Sequence, residues 1–213
     1  MNQFDASFIP EIRILFSDLL YFGESQSLAK VNNKKIEISY DECLAKTKEY
    51  NEAWKKHSEK ILVEMQKLYQ LNFHKPVIDA FLAPMFIPKS MPLIINLRHT
   101  ADQFVDVLTH ELFHNLFTDN QYIKKQELAK SRIGYIWEDI FGKRDFVELV
   151  HIPVHAGLKA VYLDVLKQPY RLERDIQDCS SRPGYKEAWD FVENNDYQKI
   201  NKEIAVLYKK NFK

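Results

Sequence analysis

The sequence predicts an α+β fold that is mostly helical and contains a small β-sheet. Long stretches carry apolar residues at helical spacing, and only a few short runs are rich in β-branched residues. Several of the helical stretches begin with residues that cap helices. The chain has 213 residues, 46% of them hydrophobic, enough for one sizeable core or for two small subdomains. No repeat or linker separates independent domains, so we expect one domain over residues 1–213.

Composition narrows the classes of function. Thirty basic residues balance thirty acidic ones, so no net charge favours nucleic acid or an anionic membrane as a partner. The two cysteines, Cys43 and Cys179, exclude a disulfide scaffold and favour a reducing compartment. The N-terminus lacks the pattern of a signal peptide, and no stretch is expected to span a membrane. We therefore expect a cytoplasmic protein that binds neither nucleic acid nor membrane.

Two helices and a strand are expected before the middle of the chain. Pro10 suits a first helical turn, and apolar residues follow it at helical spacing as far as Gly23. Residues 35–40 alternate polar and apolar side chains, which is typical of a half-buried strand. A capping box that starts at Ser39 then opens a long helix, which is expected to reach about Leu71 and to back a sheet.

The middle of the chain predicts two strands that lead into a helix. Residues 77–82 and 93–97 are short runs with high β propensity, separated by a loop rich in proline. Thr100 and Gln103 then form a second capping box, which predicts a helix that ends near Asn120.

The remainder of the chain is expected to be helical. One helix is predicted over residues 122–141 and another within residues 146–166. Pro153 lies in the second stretch, so that helix either begins just before the proline or bends there. Two supporting helices are expected to follow Gly184 and Asp196.

The helix predicted to follow Thr100 contains the sequence HELFH, which fits the pattern H-E-x-x-H. Because residues four apart lie on one helical face, His110 and His114 can direct both imidazoles at one zinc ion. Glu111 is then placed to take a proton from an attacking water. The alternative is a surface helix with two solvated histidines, which the strongly apolar flanking residues do not favour.

A catalytic zinc ion usually has three protein ligands, so a third ligand is expected elsewhere in the chain. Glu148, His151 and His155 share one helical face, and we expect one of the two histidines to bind the metal. The other histidine would then orient a ligand or the substrate oxyanion. Glu148 is an alternative ligand, as are Glu138 and Asp139, and each histidine could instead serve as a structural partner of a backbone carbonyl.

The HELFH sequence, entered from a short strand and backed by a long helix, resembles the zincin clan of metallopeptidases on its gluzincin, thermolysin-like side. The resemblance implies an upper part, about residues 1–119, with a mixed sheet, a backing helix and the active-site helix. It also implies a lower, mostly helical part, about residues 120–213, that carries the third ligand. His110 and His114 would be zinc ligands, and Glu111 would be the general base and acid.

One departure from gluzincins concerns the third ligand. Gluzincins use a glutamate there, often with an aspartate four residues later, whereas this chain has His151 and His155. His151 corresponds to the ligand position of the gluzincin pair and is slightly preferred for that reason. The glycine and third histidine that follow H-E-x-x-H in metzincins are also absent. The resemblance therefore extends to the clan and not to a particular family.

These observations predict zinc-dependent hydrolysis of peptide bonds in a peptide or protein substrate. A zinc hydrolase of a non-peptide amide is one alternative, and a non-catalytic helical binding module whose zinc is structural or absent is another. An absence of stoichiometric zinc would favour the binding module. Zinc without cleavage of any unfolded protein would favour the non-peptide hydrolase or a latent enzyme.

Overall fold

The structure of the protein, a computed structural model, describes residues 8–32, 37–124 and 135–211. Among these residues the fold is α+β and mostly helical with a small mixed sheet, which confirms the predicted class. The strands are β1 Glu11–Phe16, β2 Val77–Ala83, β3 Lys89–Ser90 and β4 Leu93–Asn96. The helices are α1 Asp18–Asn32, α2 Tyr40–Lys55, α3 Ser58–Tyr69, α4 Ala101–Lys124, α5 Glu138–Phe141, α6 Phe146–Ala160, α7 Pro169–Cys179, α8 Tyr185–Glu193 and α9 Tyr197–Asn211.

The sheet has the strand order β1-β2-β4-β3. The first three strands in that order are parallel, and β3 pairs antiparallel with β4 at the edge of the sheet. Alternate side chains of β1 and β2 are buried, and Ile12 lies opposite Ile78 in the register. The predicted strands at residues 77–82 and 93–97 are therefore confirmed as β2 and β4.

The helix predicted from Pro10 to Gly23 is wrong. The chain first forms β1 and then α1, and Gly23 lies inside α1 instead of ending a helix. In β1, Ile12 and Ile14 are buried while their neighbours are exposed, which is the alternation of a strand. The backbone of β1 pairs with β2, more than sixty residues later. This pairing stabilises the strand, and the spacing of neighbouring residues does not indicate it.

The capping box at Ser39 is confirmed. The Ser39 amide donates to Glu42 Oε2 at 2.8 Å, and the Glu42 amide donates to Ser39 Oγ at 3.3 Å. Part of the strand predicted at residues 35–40 lies outside the described residues. Its described part is not a strand, because residues 37–39 form a bend that leads directly into α2.

The long helix predicted after Ser39 is two helices, α2 and α3. They are separated by a tight turn at Lys56 and His57, where the His57 amide donates to the Trp54 carbonyl at 2.9 Å. Both helices place apolar residues inward, so the turn leaves the helical periodicity nearly intact. The sequence therefore predicted the helical stretch and missed its interruption.

The capping box that opens α4 is also confirmed. The Thr100 amide donates to Gln103 Oε1 at 3.1 Å, and the Gln103 amide donates to Thr100 Oγ1 at 3.2 Å. The helix does not end near Asn120, as predicted, but continues to Lys124. Asn120 is buried inside the helix, where its side-chain amide donates to the carbonyls of Leu116 and Asn72. It therefore serves as a packing contact and not as a helix stop.

Residues 125–134 of the helix predicted over residues 122–141 lie outside the described residues. The described end of that stretch contains a 3-10 turn at Tyr135–Trp137, followed by α5. Gly142 ends α5 with a φ of 73°, in the left-handed region that glycine adopts readily, so α5 ends at Phe141, where the helix was predicted to end.

Helix α6 begins at Phe146, well before Pro153, and a π-helical turn at Val161–Val165 extends it. Asp145 caps it by accepting a hydrogen bond from the Val147 amide at 2.8 Å. Contrary to the sequence-based expectation, residues Phe146–Val165 are long and apolar enough to cross a membrane. Buried core helices share this composition, and 67% of the most apolar window is buried inside the protein.

The chain divides into two compact units. One consists of Pro10–Ser58 and Lys75–Leu112 and contains the sheet, α1, α2 and the first half of α4. In its core the ring of Tyr50 stacks on Phe104, with centroids 4.1 Å apart. The other consists of Met1–Ile9, Glu59–His74 and Phe113–Lys213 and is helical where the structure describes regular elements. In its core the ring of Tyr69 contacts Phe113 and Phe117 edge-on.

Within the helical unit, Gly157 brings α6 close to α4. A Cβ atom at this position would lie 2.7 Å from Phe113 Cζ and 2.7 Å from the Tyr69 hydroxyl oxygen, and both of those side chains are fully buried. A residue without a side chain at this position therefore allows α6 and α4 to pack closely. Gly23, in contrast, lies in α1 with no atom near the corresponding position.

We predict that Gly157→Ala destabilises the protein by about 1 kcal/mol, although alanine favours helices. The gain of about 1 kcal/mol in helix propensity is outweighed by overpacking, which costs about 1–3 kcal/mol. Gly23→Ala is the matched control and should stabilise the protein by about 0.5–1 kcal/mol. The free energies of unfolding are measured in urea. Equal stabilisation by both substitutions would show that the close contact at Gly157 is not rigid.

Candidate metal centre

Helix α4 presents both histidines of the HELFH sequence on one side. Its apolar stripe fixes the rotation of the helix, because the stripe is buried along its whole length. His110 and His114 lie beside the stripe and are half-buried, whereas Glu111 is buried. The buried residues of the stripe are Phe104, Val105, Leu108, Leu112 and Leu116.

A third histidine from α6 joins these two. One ring nitrogen from each of His110, His114 and His151 can be chosen so that the three atoms all lie within 4.8 Å of one another. His114 Nε2 and His151 Nε2 are 3.3 Å apart. Two nitrogen ligands of a tetrahedral zinc ion, each at its usual bond length, are separated by about 3.3–3.4 Å. The separation in the structure therefore fits a pair of ligands on one metal ion.

A hydrogen bond orients the His151 ring for this role. Its Nδ1 lies 2.6 Å from the carbonyl oxygen of Val147, one turn earlier in α6. Because a carbonyl oxygen only accepts, Nδ1 carries the proton and Nε2 keeps the lone pair that faces His114. A backbone partner on the distant nitrogen is a common feature of histidines that bind metals.

His114 and His151 are neutral at pH 7. Burial lowers the pKa of His151 to about 4, and the hydrogen bond to Val147 opposes this shift only in part. Burial, and then the nearby charge of His151, lower the pKa of His114 well below its ordinary value. Neutral imidazoles have the lone pair that a metal ion needs, so the metal does not have to displace protons from these rings.

Glu111, which follows His110 in α4, is a buried carboxylic acid. Burial raises its pKa to about 8, so in the metal-free protein it holds a proton at neutral pH. A cation bound nearby would favour the carboxylate and lower this pKa by Coulomb attraction. The side chain can therefore change its protonation state near neutral pH.

The other candidate ligands lie outside the group of three histidines. Glu148 forms an ion pair with Arg144, one turn earlier in the chain. Glu138 and Asp139 lie in α5 and are not part of the histidine group that the described residues form. His155 is fully buried and stacks on Trp189, with ring centroids 4.2 Å apart and an angle of 12° between the planes.

Sequence reasoning did not assign a role to Tyr185. Its ring centroid lies 3.8 Å from that of His151, and Trp189 of the same helix contacts His155. The sequence contains one indication of these contacts, since Tyr185 and Trp189 are four residues apart, as are His151 and His155. Only the packing of α8 on α6 shows that the two pairs face each other.

No protein-family model, curated protein or solved structure matches the chain. Three histidines are positioned to hold a metal ion, and a buried carboxylic acid adjoins the first of them in the chain.

We predict that His114→Ala and His151→Ala each abolish stoichiometric metal binding, because each removes one of the three imidazoles that are positioned to hold a metal ion. Glu148→Gln should bind metal within a few-fold of the parent, since Glu148 pairs with Arg144. The measurement is a titration of metal-free protein with Zn²⁺ in competition with a chelator of known affinity. Parent-like binding by His151→Ala, combined with failure of Glu148→Gln, would instead indicate a glutamate ligand.

We also predict that the metal-free protein loses stability below pH 6.5. His114, His151 and His155 remain neutral when folded but become protonated in the unfolded chain, so acid favours unfolding. Glu111 acts in the opposite direction, because the folded protein retains its proton throughout this range. Once the three histidines are protonated in the unfolded chain, it binds three protons that the folded protein lacks, and the folded protein binds one proton, on Glu111, that the unfolded chain lacks. The unfolded chain therefore binds two more protons than the folded protein. The free energy of unfolding should therefore fall by about 2–3 kcal/mol per pH unit between pH 6.5 and about 5.

His155→Phe tests this assignment, because it keeps a buried ring beside Trp189 and removes one titrating group. The variant should show about half the dependence on pH, as measured by urea unfolding in the presence of a chelator. A slope equal to that of the parent would contradict the proposed neutral state of His155.

Proposed function

We propose that this protein is a zinc-dependent hydrolase of peptide bonds that belongs to the zincin clan. The observation that carries the proposal is the convergence of His110, His114 and His151, with Glu111 directly after the first of them. The resemblance of HELFH to the zincin motif supports a peptide or protein as the substrate.

Three imidazole ligands suit zinc as the metal, and they would leave a position for water or substrate. When bound, zinc would polarise the scissile carbonyl group and lower the pKa of the attacking water. A structural zinc ion usually has four protein ligands, whereas the histidine group formed by the described residues contains three. The donor set therefore favours an open catalytic site over a structural one.

Glu111 would move the proton during the reaction. As a carboxylate it would accept a proton from the attacking water, and as an acid it would return that proton to the leaving amine. Its buried position supports both steps, because burial favours the neutral form and a cation favours the charged form. His151 would keep its Nδ1 proton on the Val147 carbonyl throughout and would serve only as a ligand.

We predict that Glu111→Gln retains zinc and loses about 10²- to 10⁴-fold in hydrolysis, the range for removal of a general base. Glutamine has nearly the same shape but cannot accept the proton. Glu148→Gln is the matched control and should keep its activity, because Glu148 is paired with Arg144. Zinc content is measured alongside cleavage of an unfolded protein substrate.

The same assays distinguish the alternatives. Substantial turnover by Glu111→Gln would remove Glu111 from the mechanism. A parent protein that holds zinc but cleaves no unfolded protein would indicate a non-peptide amide as the substrate, a latent enzyme, or a binding module with structural zinc. A parent protein without stoichiometric zinc would indicate a binding module.

A further inference from the structure

The third histidine of the metal centre is held from two directions. Along its edge, His151 Nδ1 donates to the Val147 carbonyl at 2.6 Å. Against its face lies the ring of Tyr185, with centroids 3.8 Å apart and an angle of 37° between the planes. The hydrogen bond opposes a flip of the imidazole, and the tyrosine ring opposes a swing of the whole side chain away from His114.

Gly184 allows Tyr185 to approach so closely. Its φ is 84°, and a Cβ atom there would lie 2.6 Å from Val147 Cγ1 and 3.2 Å from the Glu148 amide nitrogen. Helix α8 can therefore begin directly against the first turn of α6, because this residue has no side chain. The next residue in the chain is Tyr185, which lies over His151, one turn beyond Val147.

A second ring contact follows the first along the same two helices. Trp189 is one turn beyond Tyr185 and stacks on His155, which is one turn beyond His151. Trp189 and its neighbour Ala188 are both buried, so α8 has little room to move along α6. We call the four rings of His151, Tyr185, His155 and Trp189 the aromatic ladder.

We propose that Tyr185 is a positioning residue of the metal centre. Its ring holds the His151 imidazole with Nε2 toward His114, and the affinity for metal depends on this contact. Without the ring, His151 would occupy additional rotamers, and the apparent affinity would fall with the fraction of molecules in the binding conformation. The inference rests on the proposed metal centre and extends it to a residue that is not a ligand.

The test is a Zn²⁺ titration of the metal-free protein with two substitutions of Tyr185. Tyr185→Phe keeps the ring and should bind zinc within about twofold of the parent. Tyr185→Leu removes the ring and should bind about tenfold more weakly, the lower end of the range for outer contacts of metal ligands. Tyr197→Leu is the control, because it removes a ring from the same helical unit at a site where the hydroxyl contacts Asp164.

A second readout follows the His151 ring itself. In the metal-free parent, the ¹⁵N shifts of the imidazole should show the proton on Nδ1, and Tyr185→Leu should show a mixture of tautomers. If Tyr185→Leu does not fold, Tyr185→Met replaces it, because the longer and more flexible methionine side chain adapts to the same space without a ring. A lower thermal stability accompanied by parent-like tautomer signals would overturn the proposal.

Failure of this inference is distinguishable from failure of the metal centre. If the parent binds no zinc, or if His114→Ala binds as tightly as the parent, the metal centre is wrong and the role of Tyr185 is wrong with it. If His114→Ala loses zinc while Tyr185→Leu binds like the parent, the metal centre stands and only the positioning role is overturned.

Discussion

The candidate site depends on the contact between α6 and α4 at Gly157 and Phe113. Because Gly157 has no side chain, Phe113 and the Tyr69 hydroxyl approach the backbone of α6 closely. His151 lies on the same helix as Gly157, and His114 directly follows Phe113, so the contact that joins the helices also sets the separation of the rings. A wider spacing of the helices would leave two histidines on α4 and none opposite them.

The core near this contact contains buried hydrogen bonds that join α6 to neighbouring helices. The Tyr69 hydroxyl lies 2.7 Å from the Pro153 carbonyl oxygen and 2.7 Å from Asn201 Oδ1, and Asn201 Nδ2 donates to the Ala156 carbonyl. These contacts connect α3, α6 and α9 through the turn that contains the proline. Helix α6 continues through Pro153 and carries both His151 and His155, and these hydrogen bonds hold the helix to its neighbours on either side of the proline.

Burial gives the site its electrostatic character. Imidazoles are kept neutral and a carboxylic acid is kept protonated, because charged groups are poorly solvated in this part of the protein. Such an arrangement lowers the free energy of unfolding when the pH falls. It also leaves the imidazole lone pairs available to bind a cation. Groups with shifted pKa values that converge on one point are more typical of functional sites than of ordinary cores. This supports the proposed catalytic role.

The sequence by itself determined the features that depend on local chemistry. The capping boxes at Ser39 and Thr100, the strands β2 and β4, and the placement of His110, Glu111 and His114 together on one helix all follow from neighbouring residues. Only the tertiary structure decided the rest. The pairing of β1 with β2 and the contact of Tyr185 with His151 join residues far apart in the chain. The tertiary structure also places His151 beside the two histidines of α4, and it does not place His155 or Glu148 in that group. Because His151 and His155 share one helical face, the sequence allowed either of them to be the third ligand. The packing of α4 and α8 on α6 distinguishes them, since His151 faces His114 and His155 stacks on Trp189.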